Sequence, residues 1–496
     1  MSKPHPSTRP SLRVPSAALL WKRWPGSRLV SCVTLGLALG FGCGTPEESF
    51  DLVIANGRVM DPETGLDAVR NVGVRDGVIA AVSETSLTGA RVVDAAGLVV
   101  APGFIDLHAH GQQEEAYGYM VRDGVTTALE LEVGTGDVAG WYAQRAGGQI
   151  VNYGVSIGHI PVRMIRMADP GDFLPAGSGG SGMASGEDVV AMAEAIGAGL
   201  EEGAVGVGFG LAYTPAATTE EFEAMLRVAA TYDAPAYIHV RGGLEGVTEA
   251  ITSARAAGAP LHVVHANSSG GAETEEFLRR IQEAVDGGQD VTTEAYPYSA
   301  GQTRIESALF DDWETYDDER FQIHQWVATG ERLTRETFGT YREEGGSVII
   351  HSRTEEMTRA AIGSPLTMIA SDGGISNGSG HPRSTGSFSK VLGRYSRDQG
   401  LFPLMDALAK MTIRPARRLE GRVPGMSRKG RVQVGADADL VLFDPETVID
   451  RSTYTDPTLT PEGIPWVLVG GTVVVEEGTL VSGARPGQAV RAPIDG

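Results

Sequence analysis

Two residue types are missing from most of this chain. Cysteine occurs at only two of 496 positions, and residues 51–389 contain neither cysteine nor lysine. A metal site built from that stretch must therefore use imidazole and carboxylate ligands, because no thiolate and no lysine-derived ligand is available there. Both cysteines, Cys32 and Cys43, precede this stretch, so no disulfide is expected in the folded part of the chain.

Acidic residues are absent from the first 42 positions, which contain six basic residues and then an apolar run over 29–41. The run is too short to cross a bilayer comfortably, so residues 1–42 predict a lipoprotein-type signal segment. The letters LGFGC, which end at Cys43, resemble a bacterial lipobox whose cysteine becomes acylated, although Phe41 replaces the usual small residue. We expect an exported bacterial protein, periplasmic or anchored to a membrane only through lipid at Cys43. Simple secretion and an uncleaved anchor are the alternatives.

Positive charge is scarce in the remainder of the chain. Without its first 42 residues the protein has 35 basic and 63 acidic side chains, a net charge of −28. Such a surface repels nucleic acid and anionic lipid, so nucleic acid is excluded as an expected partner. A small substrate that carries a carboxylate would need a few local cations to hold it.

Short apolar strands alternate with helical stretches through the middle of the chain. Apolar spacing near 3.6 residues predicts helices over 186–202, 219–231 and 273–286, among others. The predicted strands are 103–108, 125–132, 152–159, 204–209, 235–239, 261–265, 291–296 and 367–372. This alternation predicts an α/β fold, a (β/α)8 TIM-like barrel over 101–429, with its chemistry at the carboxyl ends of the strands.

Both ends of the chain are rich in β patterns with turn signals. Asn56-Gly57 and Asp76-Gly77 separate apolar runs near the start, and a similar texture returns over 435–445 and 466–481. We expect residues 51–100 and 430–482 to form one small β-sandwich domain. The charged segment 304–350 is expected to be an insertion before the last barrel strand, and a lid is one role for it.

Polar residues recur where the predicted barrel strands end. His108 and His110 share one face of the first strand, with Asp106 behind them. Two adjacent imidazoles favour zinc or a related divalent metal, against the alternative of two hydrogen-bonded polar histidines at a strand end. Further polar or aromatic residues come at later strand ends: Glu130, Glu132, His159, His239, His265, Tyr296, Tyr298 and Asp372. Apolar strands normally run into neutral turns, so the series predicts a functional site.

These motifs resemble those of the amidohydrolase superfamily, and within it the N-acyl-D-amino-acid deacylases, over roughly residues 51–480. PGFIDLHAH, which ends at His110, is similar to the first-strand metal motif of that superfamily. His239 and His265 match its ligands on the fifth and sixth strands, and Asp372 matches its aspartate on the eighth.

Three longer segments resemble deacylase active-site segments. HPRSTGSFSKVLGRY, residues 381–395, is similar to one whose arginine binds the substrate α-carboxylate, which implies that role for Arg383. GVGFGLAYTP, which contains Tyr213, and AYPYSAGQT, which contains Tyr296, resemble active-site loops of the same family. Arg383 with Tyr296 is therefore the expected carboxylate clamp.

The chain departs from the family at the bridge between two metals. Many amidohydrolases use a carboxylated lysine there, and typical D-aminoacylases use a cysteine after the second strand. Neither residue type is available, so the bridge must be a carboxylate, and Glu130 and Glu132 share one face of the second strand. We favour Glu132, nearer the strand's carboxyl end, with Glu130 behind it. Zinc is the expected cofactor, as one or two ions, but an oxygen ligand leaves manganese and iron open.

The resemblance implies a metal-dependent hydrolase that cleaves the amide bond of N-acyl-D-amino acids, with Asp372 accepting and returning the proton. The expected partner is a small N-acyl amino acid. Further candidates for substrate binding are Tyr213, His159, Tyr298 and Arg304, for which packing or an ion pair is the alternative. Two other functions stay open: an amidohydrolase that acts on dipeptides or cyclic amides, and a binding lipoprotein without catalysis.

Overall fold

A nine-stranded sheet joins both ends of the chain in this computed structural model, which describes residues 49–494. The expected signal segment 1–42 and Cys43 lie outside the described residues. The nine strands are β1 (Ser49–Asp61), β2 (Leu66–Arg75), β3 (Val78–Ser83), β4 (Thr88–Asp94), β5 (Val99–Pro102), β19 (Leu440–Phe443), β20 (Trp466–Val469), β21 (Thr472–Glu476) and β22 (Thr479–Leu480). β5 pairs antiparallel with β19 and so connects the two ends. The small sheet expected from both termini is confirmed.

This sheet encloses a core of its own. Ile54, Val72 and Val100 from the amino-terminal strands pack with Leu440 and Leu468 from the carboxyl-terminal strands, and all five are buried. β1 is long enough to pair in parallel with β4 along its first half and with β5 further on. The two ends of the chain therefore share one hydrophobic cluster, which fixes their register against each other.

Eight parallel strands form the central barrel. They are β6 (Phe104–Asp106), β7 (Val125–Thr135), β8 (Asn152–Gly158), β9 (Val207–Gly210), β10 (Ala236–His239), β11 (Leu261–Val263), β12 (Val291–Ala295) and β16 (Thr367–Ile369). The first and last strands meet just beyond their ends, where Asp372 N donates to His108 O at 2.8 Å and Ala109 bridges to Gly373. The expected (β/α)8 barrel is confirmed.

Several barrel strands are shorter than predicted, so polar residues predicted at or near their carboxyl ends lie just beyond them. These polar residues belong to the candidate site. β6 ends at Asp106, so His108 and His110 follow the strand. β11 ends at Val263 and β16 at Ile369, so His265 and Asp372 lie in the loops that follow. Polar residues that leave the ladder at a strand's carboxyl end are free to turn toward the barrel axis.

Fifteen described helices surround the strands. They are α1 (Glu114–Arg122), α2 (Val138–Ala143), α3 (His159–Arg166), α4 (Ser178–Ser181), α5 (Gly186–Glu201), α6 (Thr219–Thr231), α7 (Gly243–Ala257), α8 (Ala266–Gly270), α9 (Thr274–Asp286), α10 (Asp318–Gln322), α11 (Arg335–Glu344), α12 (Glu355–Gly363), α13 (Arg383–Lys390), α14 (Leu404–Met411) and α15 (Ile413–Glu420). α6 begins after Thr218, whose side chain accepts from Glu221 N, and buries Phe222, Met225 and Leu226 on one face. No helix within 49–494 is long and apolar enough to cross a membrane.

The insertion before the last barrel strand contains more β structure than its charged sequence predicts. It contains a three-stranded antiparallel sheet made of β13 (Gly301–Arg304), β14 (His324–Trp326) and β15 (Ser347–Ile350). Along the chain, α10 comes between β13 and β14, and α11 comes between β14 and β15. The segment has a core of its own, which includes Phe310, Phe321 and Phe338. A further two-stranded ribbon, β17 (Ile375–Ser376) with β18 (Ser379–Gly380), follows the last barrel strand.

Candidate metal centre

The second barrel strand presents two glutamates near its carboxyl end. The pairing of β7 with β8 shifts between Glu130 and Thr135, and such an irregularity re-aims side chains at a strand end. A neighbouring strand, β9, approaches closely at Gly208, where an added Cβ would lie 2.2 Å from the carbonyl oxygen of Glu132. The glycine therefore leaves space for the backbone that carries Glu132.

In His108 and in His110, one ring nitrogen lies against the carboxylate of a glutamate, and the other ring nitrogen points toward a common centre. His108 Nδ1 lies 2.6 Å from Glu294 Oε1, and His110 Nδ1 lies 2.7 Å from Glu130 Oε2. Their Nε2 atoms lie 3.1 Å apart, and that of His108 is 2.6 Å from Glu132 Oε2. Outer carboxylates that fix an imidazole in this way are typical of metal-ligating histidines.

Two groups of potential ligands converge at the carboxyl ends of the barrel strands. One group is His108, His110, Glu132 and Asp372, and the other is Glu132, His239 and His265, with the ligand atoms of each group within 4.8 Å of one another. Glu132 belongs to both groups, because its Oε2 faces His108 while its Oε1 lies 2.8 Å from His239 Nδ1. This is the placement that a bridging carboxylate requires, and Glu132 has it rather than Glu130.

The second group depends on an unusual backbone conformation at His265. Its Nε2 lies 3.1 Å from His239 Nδ1 and 3.9 Å from Glu132 Oε1, and its Nδ1 lies 3.1 Å from Ser269 Oγ. The φ angle of His265 is 35°, and that of Asp372 is 51°, both in the left-handed region that side chains rarely adopt. Strain of this kind is held in place by surrounding structure and is frequent at functional sites.

The electrostatics differ between the two groups. Burial by itself lowers the pKa of His108, but the carboxylates of Asp372, Glu294 and Glu132 outweigh it and raise the pKa well above its ordinary value. Burial acts on His110 in the same direction, and Glu130 and Asp372 again outweigh it to raise the pKa. At His265, burial and the charge of His239 lower the pKa to about 3. The first group therefore attracts positive charge, whereas His265 stays neutral, the form in which imidazole binds a metal.

Asp372 lies between the ligand groups and an arginine. Its Oδ1 is 3.5 Å from His108 Nε2 and 3.4 Å from His110 Nε2, and its Oδ2 is 2.7 Å from Arg383 Nη1. Burial raises the pKa of Asp372, but Arg383 and His108 outweigh it and leave the pKa well below its ordinary value. The carboxylate is therefore ionised and can accept a proton at the centre.

Two nitrogen donors of Arg383 form no hydrogen bond with the described residues. It is buried, yet its Nε and Nη1 have no hydrogen-bond partner among the described residues, since the contact with Asp372 is an ion pair without hydrogen-bond geometry. Its guanidinium carbon lies 4.6 Å from the ring centroid of Tyr296. Buried unpaired donors are costly, so this pair of residues is suited to an anionic group from outside the chain.

Tyr213 borders the second ligand group. Its ring meets the ring of His239 edge to face, with centroids 4.8 Å apart, and its Oη accepts from Thr303 Oγ1 at 3.2 Å. Burial, followed by the charge of Glu132, raises its pKa above the ordinary value for tyrosine. The structure therefore brings Tyr213 to the centre with its phenol protonated.

Two of the predicted substrate-binding residues do not reach the centre, and the expectation for them is corrected. His159 is buried with Nε2 2.8 Å from Glu221 Oε1, which also accepts from Arg163 Nη1 at 2.6 Å. Tyr298 donates to Asp450 Oδ2 at 3.0 Å. Among the described residues, neither side chain forms a hydrogen bond with a member of either ligand group.

Two further predicted site residues, Arg304 and Glu130, also lie outside both ligand groups. Arg304 Nε donates to Glu306 Oε1 at 2.7 Å, so its charge is already neutralised within the insertion. Glu130, predicted as a metal ligand together with Glu132, lies outside both groups and orients His110 instead.

Sequence reasoning missed Glu294, which is as buried as the ligands themselves. Its Oε1 holds His108 Nδ1, and its Oε2 lies 3.4 Å from His262 Nε2, while His262 Nδ1 lies 2.7 Å from Thr292 Oγ1. The signal that could have found it is an acidic residue near the carboxyl end of the seventh barrel strand, in the letters TTEAYPY.

The donor set fits a divalent metal of the zinc type. Imidazole nitrogens of His108 and His110, and again of His239 and His265, approach to 3.1 Å, a distance at which two lone pairs repel unless a proton or a metal lies between them. Carboxylate oxygens of Glu132 complete both groups, and no thiolate takes part. Nitrogen and oxygen ligands in this ratio suit zinc, and they also accept manganese or iron.

Comparisons with known proteins agree with this geometry. The model described as Amidohydrolase family matches residues 91–334 and 197–475. The chain is 30% identical over 500 residues to N-acyl-D-glutamate deacylase of Alcaligenes xylosoxydans xylosoxydans, covering 90% of this chain and 97% of the relative. It resembles the solved structure of N-acyl-D-glutamate deacylase from Bordetella bronchiseptica, complexed with zinc and a phosphonate inhibitor, with a TM-score of 0.78 and 28% identity. The match covers 90% of this chain and 100% of that one. It also resembles a solved D-aminoacylase structure that concerns the binuclear metal centre of that enzyme, with a TM-score of 0.74 and 28% identity. The match covers 89% of this chain and 100% of that one.

Proposed function

The chain belongs to the amidohydrolase family, and we propose that within it the protein is a metal-dependent hydrolase that cleaves the amide bond of N-acyl-D-amino acids. The observation that carries the proposal is the junction at Glu132 and Asp372, where two ligand groups meet an ionised aspartate and an arginine with free donors. The relatives that match along nearly their whole length support the same chemistry and the D configuration.

His108, His110, Glu132, His239 and His265 are the residues that would hold the metal, for which zinc is proposed and manganese and iron are alternatives. Bound metal lowers the pKa of a water molecule and polarises an amide carbonyl. Asp372 accepts the proton of the attacking water and returns it to the leaving nitrogen, for which its ionised state is required. Arg383 lowers the pKa of Asp372 and so keeps this carboxylate ionised.

Substrate orientation follows from the neighbouring positions of Asp372 and Arg383. In an N-acyl amino acid, a single carbon atom, Cα, separates the α-carboxylate from the scissile nitrogen. When the free donors of Arg383 bind the α-carboxylate beside Tyr296, the scissile nitrogen is brought next to Asp372, whose Oδ2 is 2.7 Å from Arg383 Nη1. The clamp therefore places the leaving group where a proton is returned to it.

The proposal is tested by amine release from matched N-acetyl-D- and N-acetyl-L-amino acids, with the protein reconstituted with zinc, manganese or iron. We expect turnover of D-substrates only, lost on chelation and restored by added metal. Hydrolysis of dipeptides or cyclic amides with none of the N-acetyl-D-amino acids would contradict the proposed substrate class. Bound metal without any turnover would favour a binding lipoprotein.

We also propose that the protein is exported and anchored to a membrane through lipid at Cys43. Support comes from the six basic residues and the apolar run 29–41 within the first 42 residues, and from the letters LGFGC. Full-length protein expressed in a bacterial host is expected in the membrane fraction, and Cys43→Ala is expected in a soluble exported fraction. Equal fractionation of the two would contradict the anchor.

A further inference from the structure

Helix α1 follows the first metal motif and has a carboxylate near each end. The loop that carries His108 and His110 leads into this helix, which spans Glu114–Arg122. Glu115 lies in the first turn of α1 and is exposed. Asp123 follows the last turn and is buried, with 2% of its surface exposed. Neither carboxylate belongs to a metal-ligand group, and both contact the segment that carries the proposed clamp.

The carboxylate at the start of α1 holds the turn of a ribbon. Glu115 Oε2 accepts from Asn377 N at 2.9 Å, and Glu115 Oε1 accepts from Gly378 N at 2.8 Å. These two residues form the turn between β17 and β18, with φ angles of 51° and 70°. The turn precedes Arg383 in the chain, so α1 fixes the segment before the clamp.

The carboxylate at the end of α1 holds the helix that carries Arg383. Asp123 Oδ2 accepts from Phe388 N at 2.8 Å, and Asp123 Oδ1 accepts from Ser389 N at 3.0 Å. Helix α13 is kinked at Gly386, whose φ and ψ of −153° and 17° are not helical. A kink leaves the N–H groups just after it without partners in the preceding turn, and Asp123 accepts from two of them as a capping residue does.

The buried carboxylate of Asp123 opposes folding at neutral pH. Burial raises its pKa to about 7, although hydrogen bonds from Ser389 and Phe388 lower it. Between the ordinary pKa of 3.8 and pH 7 the folded state therefore binds more protons than the unfolded state, so the contribution of Asp123 to stability falls across this window. A group that costs stability while it holds the helix of Arg383 is suited to a functional role.

The clamp is fixed against the part of the barrel that carries the first two histidines. Phe388, in the second half of α13, stacks on Phe104 in β6, with ring centroids 5.3 Å apart and an angle of 10° between the planes. β6 leads to His108 and His110, and α13 begins at Arg383. The distance from the clamp to the metal ligands therefore depends on how α13 is held against β6 and α1.

We infer that α1 braces the substrate clamp, with Asp123 as its main positioning residue and Glu115 as a second one. Between them the two carboxylates hold segment 377–389 on both sides of Arg383. The inference rests on the proposed function and goes beyond it, because both residues act through Arg383 rather than on the substrate itself.

The test uses the best N-acetyl-D-amino acid substrate and its α-carboxamide, which has the same scissile amide but no α-carboxylate. The ratio of their kcat/KM values measures the contact with Arg383. Asp123→Asn keeps the shape of the side chain but replaces one acceptor oxygen with an NH₂ group, so one of the two backbone bonds is lost. We expect this variant to lower the ratio roughly 10- to 100-fold, because a misplacement of about 1 Å can cost that much. Turnover of the carboxamide is expected to change little.

A double-mutant cycle separates positioning from a general structural effect. In an Arg383→Met background the contact is already absent, so adding Asp123→Asn is expected to leave the ratio unchanged. Glu114→Gln is the matched control with an expected wild-type ratio, since Glu114 lies in the first turn of α1 but pairs with Arg485. If Asp123→Asn lowers kcat/KM for both substrates equally, or lowers the ratio as much in the Arg383→Met background, the inference is overturned while the proposed function stands.

Glu115→Gln keeps the inference testable if the buried variant does not fold, because this side chain is exposed. We expect it to lower the ratio about 2- to 10-fold, the range for loss of a single hydrogen bond. A wild-type ratio in Glu115→Gln, when Asp123→Asn cannot be obtained folded, overturns the inference.

Failure of the proposed function gives a different result, because wild type then turns over neither substrate. Calorimetric affinities of N-acetyl-D-glutamate and its α-carboxamide for the zinc-loaded protein then replace kcat/KM, as they do if the carboxamide reacts too slowly to measure. A preference for the carboxylate that is lost in Asp123→Asn sustains the brace. Equal affinities in wild type, binding of neither compound, or a preference that Asp123→Asn retains overturns it.

Discussion

At the scale of single residues, the site works through carboxylates whose neighbours differ. Asp372 has cationic neighbours on both sides and stays ionised, and Glu132 faces histidines with both of its oxygens. Glu294 lies against ring nitrogens of His108 and His262 and accepts from His265 N. These placements support three separate proposed roles: proton acceptor for Asp372, bridge for Glu132 and orienting group for Glu294. Replacement of a carboxylate by the amide of the same shape distinguishes these roles.

Asp372→Asn is expected to lower kcat/KM about 10²- to 10⁴-fold, because the amide cannot accept the proton of the attacking water. Metal content is expected to persist, since Glu132, His239 and His265 form a ligand group without Asp372. Activity on the best N-acetyl-D-amino acid and metal content by mass spectrometry are measured on the same samples. Unchanged turnover in this variant would remove Asp372 from the mechanism.

Glu294→Gln is expected to weaken zinc binding about 10- to 100-fold, the range for loss of a partner that orients a ligand. Glutamate accepts from both His108 and His262, whereas glutamine turns an NH₂ group toward one of these imidazoles and releases it. The measurement is zinc affinity by competition with a chromophoric chelator. Glu275→Gln, on the exposed side of α9, is the control and should bind zinc as wild type does; equal affinity in Glu294→Gln would show that His108 needs no carboxylate behind it.

At the scale of elements, three barrel strands end before their site residues, so His108, His110, His265 and Asp372 lie in the loops that follow, whereas Glu132 and His239 lie within strands. The eighth strand is only three residues long, and its start is tied to α14 by a buried lysine. Lys410 Nζ donates to Thr367 O at 2.9 Å and also to Ser364 O. Burial, followed by the charge of Arg414, lowers the pKa of Lys410 to about 7.

This buried lysine predicts a pH dependence of stability. In the unfolded chain the pKa of Lys410 returns to about 10.5, so between pH 7 and 10.5 the unfolded state binds more protons than the folded state. The contribution of Lys410 to stability is therefore lowest below pH 7 and rises with pH up to about 10.5. The free energy of unfolding of wild type minus that of Lys410→Met is expected to increase over this window, by denaturant titration at several pH values. A difference that stays constant or falls with pH would show that the lysine is charged in the folded state throughout.

At the scale of the whole molecule, the potential metal ligands lie on five barrel strands or the loops that follow them, and on both sides of the seam between β6 and β16. Contacts at the strand ends and just past them close the seam, such as the hydrogen bond from Asp372 N to His108 O. Asp106 spans it as well, accepting from His108 N and Ser371 N at 3.1 and 3.0 Å. A metal held across this seam would link the first and last parts of the barrel.

Removal of metal is therefore expected to destabilise the folded barrel. A ligand that binds only the folded state stabilises it by about 4 kcal/mol at a thousand times its dissociation constant, so the chelated protein should melt at a lower temperature. Added zinc should restore the melting temperature, and magnesium should restore less, because imidazole nitrogens suit zinc better. Identical melting curves with and without chelator would contradict a metal that spans the seam.

Local pattern was enough to predict much of this molecule. Helix α6 has the predicted bounds because its capping threonine, its acidic first turn and its apolar spacing all lie within one segment. Glu130 and Glu132 share strand parity, and Glu132 was favoured because it is nearer the carboxyl end of the strand; the structure places it in both groups of potential ligands. Such features depend on neighbours in the chain, so the sequence displays them directly.

Contacts between distant segments could not be predicted in this way. His159 and Tyr298 looked like site residues because they follow strands, yet Glu221 and Asp450, far along the chain, hold them elsewhere. Arg304 looked available for a substrate carboxylate, yet its pairing with Glu306 is visible only in the structure. Glu294 was overlooked because its partner, His108, lies 186 residues away.

The sequence by itself therefore determined the alternation of strands and helices, since residue period acts locally. The resemblance of its motifs implied the histidine ligands, the carboxylate bridge and the general chemistry. The tertiary structure decided which polar residues meet at the centre, which are neutralised and which keep an unpaired charge. The physical reason is that burial and ion pairing depend on distance in space, and closing the barrel brings together side chains that the chain keeps far apart.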